Sequence, residues 1–390
     1  MPRRLIPRPS RKLLPYTVER GVDFCCGGCG GGELSGAEFR GVGMNARTCV
    51  IFGGTGCIGT HIAKHLLEHT QVERVTLADV LPVRSESYAK PLLEWMEPAE
   101  GAAAPRVTYV ACDVRRPLNA VALPGQTDLI VNLAAVHREP GHEPQEYYET
   151  NLPGAENVCA YAERAGCKQI VFSSSIAPYG SSDSQRNEDS LPIPETAYGG
   201  SKLVAEKIHI AWQRAQVERR LIILRPGVVF GPGEHANVAR LAHSLARGYF
   251  VYMGNRETRK AGVYVKELGH VMQFAAEYQE RTGEPMLLWN VSMDPPPKLE
   301  QYVDAICAST GYARPRFSVS RGLLVAASYP VAAVAQLFGM RVSINPVRTR
   351  KLSQPTYIEP LRLRQAGYQF RYTMEQAMAD WKHDAPEDFG

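Results

Sequence analysis

The chain has 390 residues, 44% of them hydrophobic and 22% charged, the balance of a globular protein with apolar surface for one large core or two ordinary ones. That excludes a disordered, collagenous or disulfide-stapled small protein. Of the formal charge of +4, +3 belongs to residues 1–43, with seven Lys/Arg against four Asp/Glu, and the other 347 residues are close to neutral; such a body lacks the field of a general nucleic-acid binder.

Residues 1–20 are basic through Arg3, Arg4, Arg8, Arg11 and Lys12 but hold no continuous apolar core of a secretory signal. Residues 21–43 carry nine glycines and cannot bury enough surface to offset their ordering entropy. Residues 1–46 are therefore expected to form a disordered extension, with Met44 as the biological start. An organelle transit peptide is the alternative, favoured by the arginines and opposed by four acids and few serines. Cys25, Cys26 and Cys29 lie here without a nearby His, a poor tetrahedral zinc site, and no metal is expected. The other six cysteines stand singly in apolar or helical stretches, as small core residues of a reducing, cytoplasmic compartment do.

From residue 47 onward short continuous apolar runs alternate with helical patterns. The runs 49–52, 75–78, 107–111, 129–134, 170–172 and 221–224 suit strands buried on both faces, and 58–68, 145–165 and 197–216 suit helices. This predicts an α/β fold, a Rossmann-type doubly wound parallel sheet over 47–230, followed by a smaller mixed α/β substrate-binding region over 231–390 interleaved with the last sheet elements. No internal repeat is visible.

Chemistry-bearing residues follow the strands in order. The first strand runs into Gly53-Gly54-Thr55-Gly56-Cys57-Ile58-Gly59. Its glycine spacing allows a tight turn, close approach to a pyrophosphate, and helix packing against the sheet. Asp79, twenty residues after Gly59 at the end of the second strand, is placed to accept from adenosine ribose hydroxyls and so favours NAD. Arg84 nearby could hold a 2′-phosphate, which keeps NADP as the lesser alternative. Asp113 and Val114 follow the third strand, toward the adenine edge. Leu133, Ala134 and Ala135 close the fourth, where small residues leave room for a dinucleotide, with His137 just beyond. Ser173-Ser174-Ser175 ends the fifth strand, and Tyr198 and Lys202 stand at i and i+4 of a helix, on one face. A phenol of pKa about 10 needs a nearby positive charge to work as an acid-base group at neutral pH. The lysine ammonium and an oxidised nicotinamide supply it.

Beyond Gly231 the pattern is mixed. Residues 322–340 carry no charge, are rich in Ala and Val, and are interrupted by Pro330. They are marginal for a membrane span, and a buried or surface-packed helix without membrane contact is the expectation.

Taken together these residues resemble the extended short-chain dehydrogenase/reductase family, in particular its nucleotide-sugar epimerases of the UDP-sugar 4-epimerase type. The likeness runs over roughly 47–385. It includes the glycine turn, Asn132-Leu-Ala-Ala, Asn151-Leu-Pro-Gly-Ala-Glu-Asn157, Phe172-Ser-Ser-Ser-Ile-Ala-Pro-Tyr-Gly180 and Tyr198 to Lys202. It extends through Leu224-Arg-Pro-Gly-Val-Val-Phe-Gly-Pro-Gly233 and Val263-Tyr-Val-Lys-Glu-Leu268. Aligning Tyr179-Gly180 with the family's Tyr-Gly pair places the catalytic Ser/Thr on Ser175. The resemblance implies Tyr198 as acid-base and Lys202 as the residue that holds the cofactor ribose and tunes the tyrosine. It also implies Arg225 among the cofactor contacts, and His137, Ser175, Tyr198, Asn237 and Lys260 as substrate contacts.

Three departures from the family pattern stand out. Ile176-Ala177 occupy the positions of the acidic pair of sugar 4,6-dehydratases, which disfavours dehydration. Val228 replaces the Asn that touches the substrate diphosphate in UDP-galactose 4-epimerase relatives, a task that passes to Asn237. Lys260 replaces an Arg and loses its bidentate fork, with Arg256 and Arg259 close enough to compensate. The implied activity is NAD-dependent 4-epimerisation of a nucleoside-diphosphate sugar. The alternatives are a reductase of a 4-keto nucleotide sugar, a membrane-lying hydroxysteroid-type dehydrogenase, and a non-catalytic NAD(P)-sensing regulator. The helices over 154–165 and 197–216 correspond to those that pair in a family homodimer, so a homodimer is implied.

Overall fold

β1 (Thr48–Phe52) shows why the apolar runs are continuous. Its Cys49 and Ile51 enter one apolar cluster and its Val50 and Phe52 another, so both faces of the strand are closed to water. Burying a side chain such as Phe52 or Ile51 contributes about 1.5–3 kcal/mol, which a half-exposed alternating strand forgoes at every second residue. The computed structural model describes residues 46–138, 141–319 and 355–390. Residues 1–45 of the N-terminal extension, with the cysteine trio, and the uncharged stretch 322–340 lie outside the described residues, while Ala46, expected to end the extension, is buried in the apolar cluster beside β1.

The chain continues through α1 (Cys57–His69), β2 (Arg74–Asp79), α2 (Lys90–Trp95), β3 (Val107–Ala111), β4 (Leu129–Asn132), α3 (Pro144–Arg164), β5 (Gln169–Ser173), β6 (Ser182–Arg186) and α4 (Ala197–Arg214). Then come β7 (Arg220–Pro226), β8 (Val228–Phe230), α5 (Asn237–Ala246), β9 (Tyr252–Met253), β10 (Gly262–Tyr264), α6 (Val265–Thr282) and β11 (Met286–Val291). The last elements are α7 (Leu299–Thr310), β12 (Ser318–Val319), β13 (Thr356–Ile358), α8 (Leu361–Gln365) and α9 (Met374–Asp384).

Seven strands form one sheet in the order β11-β7-β5-β4-β1-β2-β3, parallel at every pairing. This is the Rossmann-type doubly wound sheet expected from the strand-helix alternation. The six apolar runs all appear as strands, and β11 adds a seventh beside β7, reached only after a 59-residue excursion through β8 to α6. Helices α1 and α6 supply the cluster on one face, through Ile62, Leu66, Leu268 and Val271, and α3 and α4 the cluster on the other, through Val158, Tyr161, Ala205 and Trp212. A third cluster gathers Phe230 and Tyr264 with α5, α7 and α9 around Trp381. Three pairs of short strands, β8–β10, β9–β12 and β6–β13, are also parallel. No helix among the described residues is long and apolar enough to cross a membrane.

The consequence for function lies between β1 and β4. From β1 the chain moves outward to β2 and β3 on one side and to β4, β5, β7 and β11 on the other. Connections leaving the two neighbours in opposite directions open a crevice at their carboxyl ends, the usual ligand position in such sheets.

Candidate active site

The glycine turn lies in that crevice. Gly53 has φ +75°, and a Cβ there would stand 2.9 Å from the Ala134 nitrogen at the end of β4. A Cβ on Gly59 would meet the Gly53 carbonyl oxygen at 2.5 Å, so the first turn of α1 packs directly on the loop. Gly56 differs: it is exposed, and its nearest neighbour would be the Gly53 oxygen at 3.5 Å. A side chain at Gly56 would fill space the protein leaves open, just where α1 begins without a side-chain cap. An open cradle at an uncapped helix N-terminus fits a dinucleotide's pyrophosphate.

Neighbouring contacts hold the cradle rigid. The Gly53 amide donates to the Ala78 carbonyl at 2.9 Å. Thr55 donates from Oγ1 to the Leu81 carbonyl at 2.9 Å and from its amide to Asp79 Oδ2 at 3.2 Å. Asp79 also accepts from the Val80 amide at 2.7 Å, which fixes its carboxylate at the end of β2 beside the turn. Cys57 donates from Sγ to the Pro232 carbonyl at 3.3 Å, and burial pushes its thiol pKa up, so it stays neutral; Ile58 is half-buried beside it. Leu133, Ala134 and Ala135 are half-buried at the end of β4, and Val114 is buried against Gly154 of α3. Asp113 faces Arg115, whose Nη2 lies 2.7 Å from Oδ2, and that pairing holds the carboxyl below its ordinary value. Arg84, the candidate 2′-phosphate partner, lies 3.7 Å from Glu86.

The Ser, Tyr and Lys come from β5 and α4. Beyond β5 the chain stays paired with β7, the Ser174 amide donating to the Leu224 carbonyl at 2.7 Å and Ile176 to Pro226 at 3.1 Å. Ser175 lies between them, half-buried, its Oγ accepting from the Ala177 amide at 3.1 Å. Helix α4 is capped by Thr196, whose Oγ1 accepts from the Gly199 amide at 3.1 Å. One turn in, Lys202 is 2% exposed and donates from Nζ to the Ser173 carbonyl at 2.7 Å, with the Phe172 ring 4.2 Å beneath it. Burial pulls its pKa down to about 7, against the opposing pull of Glu206. Tyr198 is half-buried with its ring 6.0 Å from that of Tyr147. Its glycine spacers are steric requirements. A Cβ on Gly199 would come within 2.6 Å of the Ala177 carbonyl, and one on Gly200 would run into the Tyr148 hydroxyl on α3.

Two networks support these groups, and neither was anticipated. Asn151 of α3 accepts on Oδ1 from the Val136 amide at 2.9 Å. It donates from Nδ2 to the Val136 carbonyl at 3.2 Å and to Ser201 Oγ at 2.9 Å. Ser201 Oγ donates in turn to the Tyr198 carbonyl at 2.9 Å. The loop after β4 is thereby tied to α3 and to the turn that carries Tyr198. In the second network, Glu206 accepts from Ser174 Oγ at 2.6 Å and from Arg225 Nε and Nη2 at 2.8 and 2.6 Å. Burial works against charge on Arg225, and the carboxylate more than restores it. Glu206 stands one helical turn after Lys202, and that i+4 spacing was the available signal.

The other residues expected at the site have these surroundings. Arg225, expected against the cofactor, is turned inward, its fork engaged by Glu206 and its guanidinium 4.8 Å over the buried Tyr179 ring. Val228 packs against the third apolar cluster. Asn237 is exposed at the start of α5, where the Glu234 carboxylate accepts from the amides of residues 236 to 239 at 2.6–3.1 Å and occupies the anion position itself. Lys260 is half-buried with its pKa drawn down to about 8 by burial. Arg256 donates to Ser318 and the Arg316 carbonyl, and Arg259 to the Pro296 carbonyl, so both are engaged locally. His137 is exposed on the loop beyond β4.

The carboxyl edge of the sheet thus brings the glycine turn, the end of β4, Ser175 and the Tyr198–Lys202 helix together, and Ala261, next to Lys260, packs with Tyr179 and Ile176 just beyond Ser175. Residues 49–291 match the model of the NAD dependent epimerase/dehydratase family. Over 252 residues the chain is 29% identical to N-acetyl-alpha-D-glucosaminyl-diphospho-ditrans,octacis-undecaprenol 4-epimerase of Escherichia coli O157:H7, covering 64% of this chain and 75% of that one. It is 24% identical over 324 residues to 3beta-hydroxysteroid-dehydrogenase/decarboxylase isoform 1 of Arabidopsis thaliana, covering 79% and 72%. A crystal structure of UDP-galactose 4-epimerase superposes with a TM-score of 0.64 at 19% identity, over 88% of this chain and all of that one. With its parallel sheet, open glycine cradle and family match over most of its length, the chain belongs to the NAD dependent epimerase/dehydratase family and is an NAD-dependent enzyme of the extended short-chain dehydrogenase/reductase type.

Proposed function

We propose that the enzyme inverts C4 of a sugar carried on a nucleoside diphosphate, passing through a 4-ketosugar that turns over within the site. The observation that carries this reading is the placement of Ser175 and the Tyr198–Lys202 helix at the same sheet edge as the glycine cradle. Tyr198 takes the C4 hydroxyl proton and returns it, and Ser175 hydrogen-bonds the reacting oxygen. Lys202 keeps positive charge near the phenol and steadies the cofactor ribose. NAD, when bound, supplies reversible hydride acceptance.

Gly53, Thr55, Gly56, Cys57, Ile58 and Gly59 would hold its pyrophosphate, Asp79 its ribose, Asp113 and Val114 its adenine edge, and Leu133, Ala134 and Ala135 its remaining length. The engaged fork of Arg225 supports a positioning role for that residue rather than a cofactor contact. Residues 231–390 would supply the substrate side, and α3 with α4, which expose Tyr148 and Val204, a homodimer face. Six free cysteines among the described residues support a reducing, cytoplasmic setting.

A second reading changes only the carrier, to a polyprenyl diphosphate. Both carriers join the sugar through a diphosphate, so this reading asks for the same anion contacts as the first. It agrees with the E. coli relative's name. The test gives purified enzyme a UDP-sugar or a polyprenyl-diphosphate sugar without added cofactor. Turnover of either epimer pair supports epimerisation and identifies the carrier. Turnover only with added NAD(P)H and a ketosugar would replace it with the reductase.

A further inference from the structure

Two strongly exposed aromatic side chains lie just before the two strands of the short β9–β12 ladder. Phe317, 73% exposed, directly precedes β12, and its carbonyl accepts from the Tyr252 amide of β9 at 3.2 Å. Tyr249, 62% exposed, lies three residues before Tyr252. Arg247 and Arg316, both exposed, are within two residues of these aromatics. The nearby acids are already engaged, Asp304 with Arg314 at 3.3 Å and Glu257 with Lys298 at 2.8 Å.

The sequence leaving this ladder has the same character. From residue 311 to residue 354 there are seven Lys/Arg and not one Asp or Glu, and the nineteen uncharged residues 322–340 lie within that span. Outside this span and the first 43 residues the chain carries a net charge of −6, so the cations are concentrated in this stretch of the sequence, without acids to balance them.

We infer that the Tyr249–Phe317 edge, flanked by Arg247 and Arg316, is a docking surface for an anionic phospholipid bilayer. Amphipathic aromatic rings settle at headgroup depth, and arginines beside them pair with anionic headgroups. The enzyme then lies on the membrane rather than in it. This runs against the expectation, drawn from the uncharged stretch alone, that the chain makes no membrane contact. It is independent of the epimerase reading, because it is measured without substrate.

The test is co-sedimentation of the full chain with vesicles of phosphatidylcholine mixed with phosphatidylglycerol, and with phosphatidylcholine alone. The wild type is expected to bind the anionic vesicles, weaken with salt, and bind neutral vesicles far less. Neutralising Arg247→Gln and Arg316→Gln lowers the partition about fivefold each, and Tyr249→Ser with Phe317→Ser lowers it further, while all variants keep the wild-type circular dichroism. No binding of the wild type to anionic vesicles overturns the inference. So does binding undiminished in both variant pairs, or a wild-type dimer that the serine pair turns into monomer with vesicle binding unchanged, which would assign the edge to a second copy of the chain.

Discussion

Arg225 lays both arms of its guanidinium along the Glu206 carboxylate, with only 5% and 1% of the two side chains reaching solvent. The pair joins the end of β7 to the middle of α4, one turn from Lys202, and Ser174 adds a third bond from the end of β5. Removing one member of such a buried pair strands the other without compensation. Arg225→Met should lower stability by about 3–5 kcal/mol, read from urea unfolding. Arg225→Met combined with Glu206→Leu should recover much of that loss. A single mutant as stable as wild type would show that the pair does not hold the two elements together.

Tyr198→Phe keeps the ring and removes only the hydroxyl. Turnover should fall by about a hundred- to ten-thousand-fold, with the melting temperature and NAD retention at wild-type levels. Full turnover in this variant would remove the phenol from the mechanism.

The first-turn glycines should separate cleanly. Gly56→Ala has room for its methyl group within the protein, so it should fold normally and lose NAD affinity, as measured by retained dinucleotide after purification. Gly59→Ala drives a methyl against the Gly53 carbonyl and should cost about 1–3 kcal/mol of stability. If Gly56→Ala binds NAD as tightly as wild type, the open space is not the pyrophosphate's seat.

Acid should weaken the fold through histidines buried in neutral form. Burial lowers His61, His65 and His209 to about 4. At His209, Nδ1 donates to the Ala205 carbonyl at 2.8 Å and Nε2 accepts from Asn132 at 3.2 Å, so a second ring proton would face another donor. Between the unfolded value near 6.5 and about 4, the unfolded chain takes up protons that the native chain refuses. Stability should therefore be level just above pH 6.5 and fall as pH drops toward 4. His209→Gln should flatten part of that slope in urea titrations at several pH values. An unchanged slope in this variant would remove His209 as one of its sources.

What could be read from the sequence was local in kind. Continuous apolar runs marked six strands because burial on both faces leaves no polar positions to interrupt them. Glycine spacing and the i, i+4 pair of Tyr198 and Lys202 likewise need only neighbouring residues. β11 was harder, since it returns to the sheet after a long excursion and carries Trp289 and Asn290 within a short run. The partnership of Glu206 with Arg225 spans nineteen positions, and that of Asn151 with Ser201 spans fifty. Nothing local says which carboxylate will be buried with which guanidinium. The start of α5 is equally silent in the sequence: Glu234 folds back over its own helix and takes the amides an anion would have used.

The two glycines between Tyr198 and Lys202 differ in how a lineage could change them. Gly199 faces the rigid main chain of Ala177, so no replacement elsewhere makes room for a larger residue. Gly200 faces only the tip of the Tyr148 side chain, and a shortened partner at that position would open a permitted route to alanine. Of two adjacent, chemically identical spacers, one is an evolutionary dead end and the other has a compensated way out.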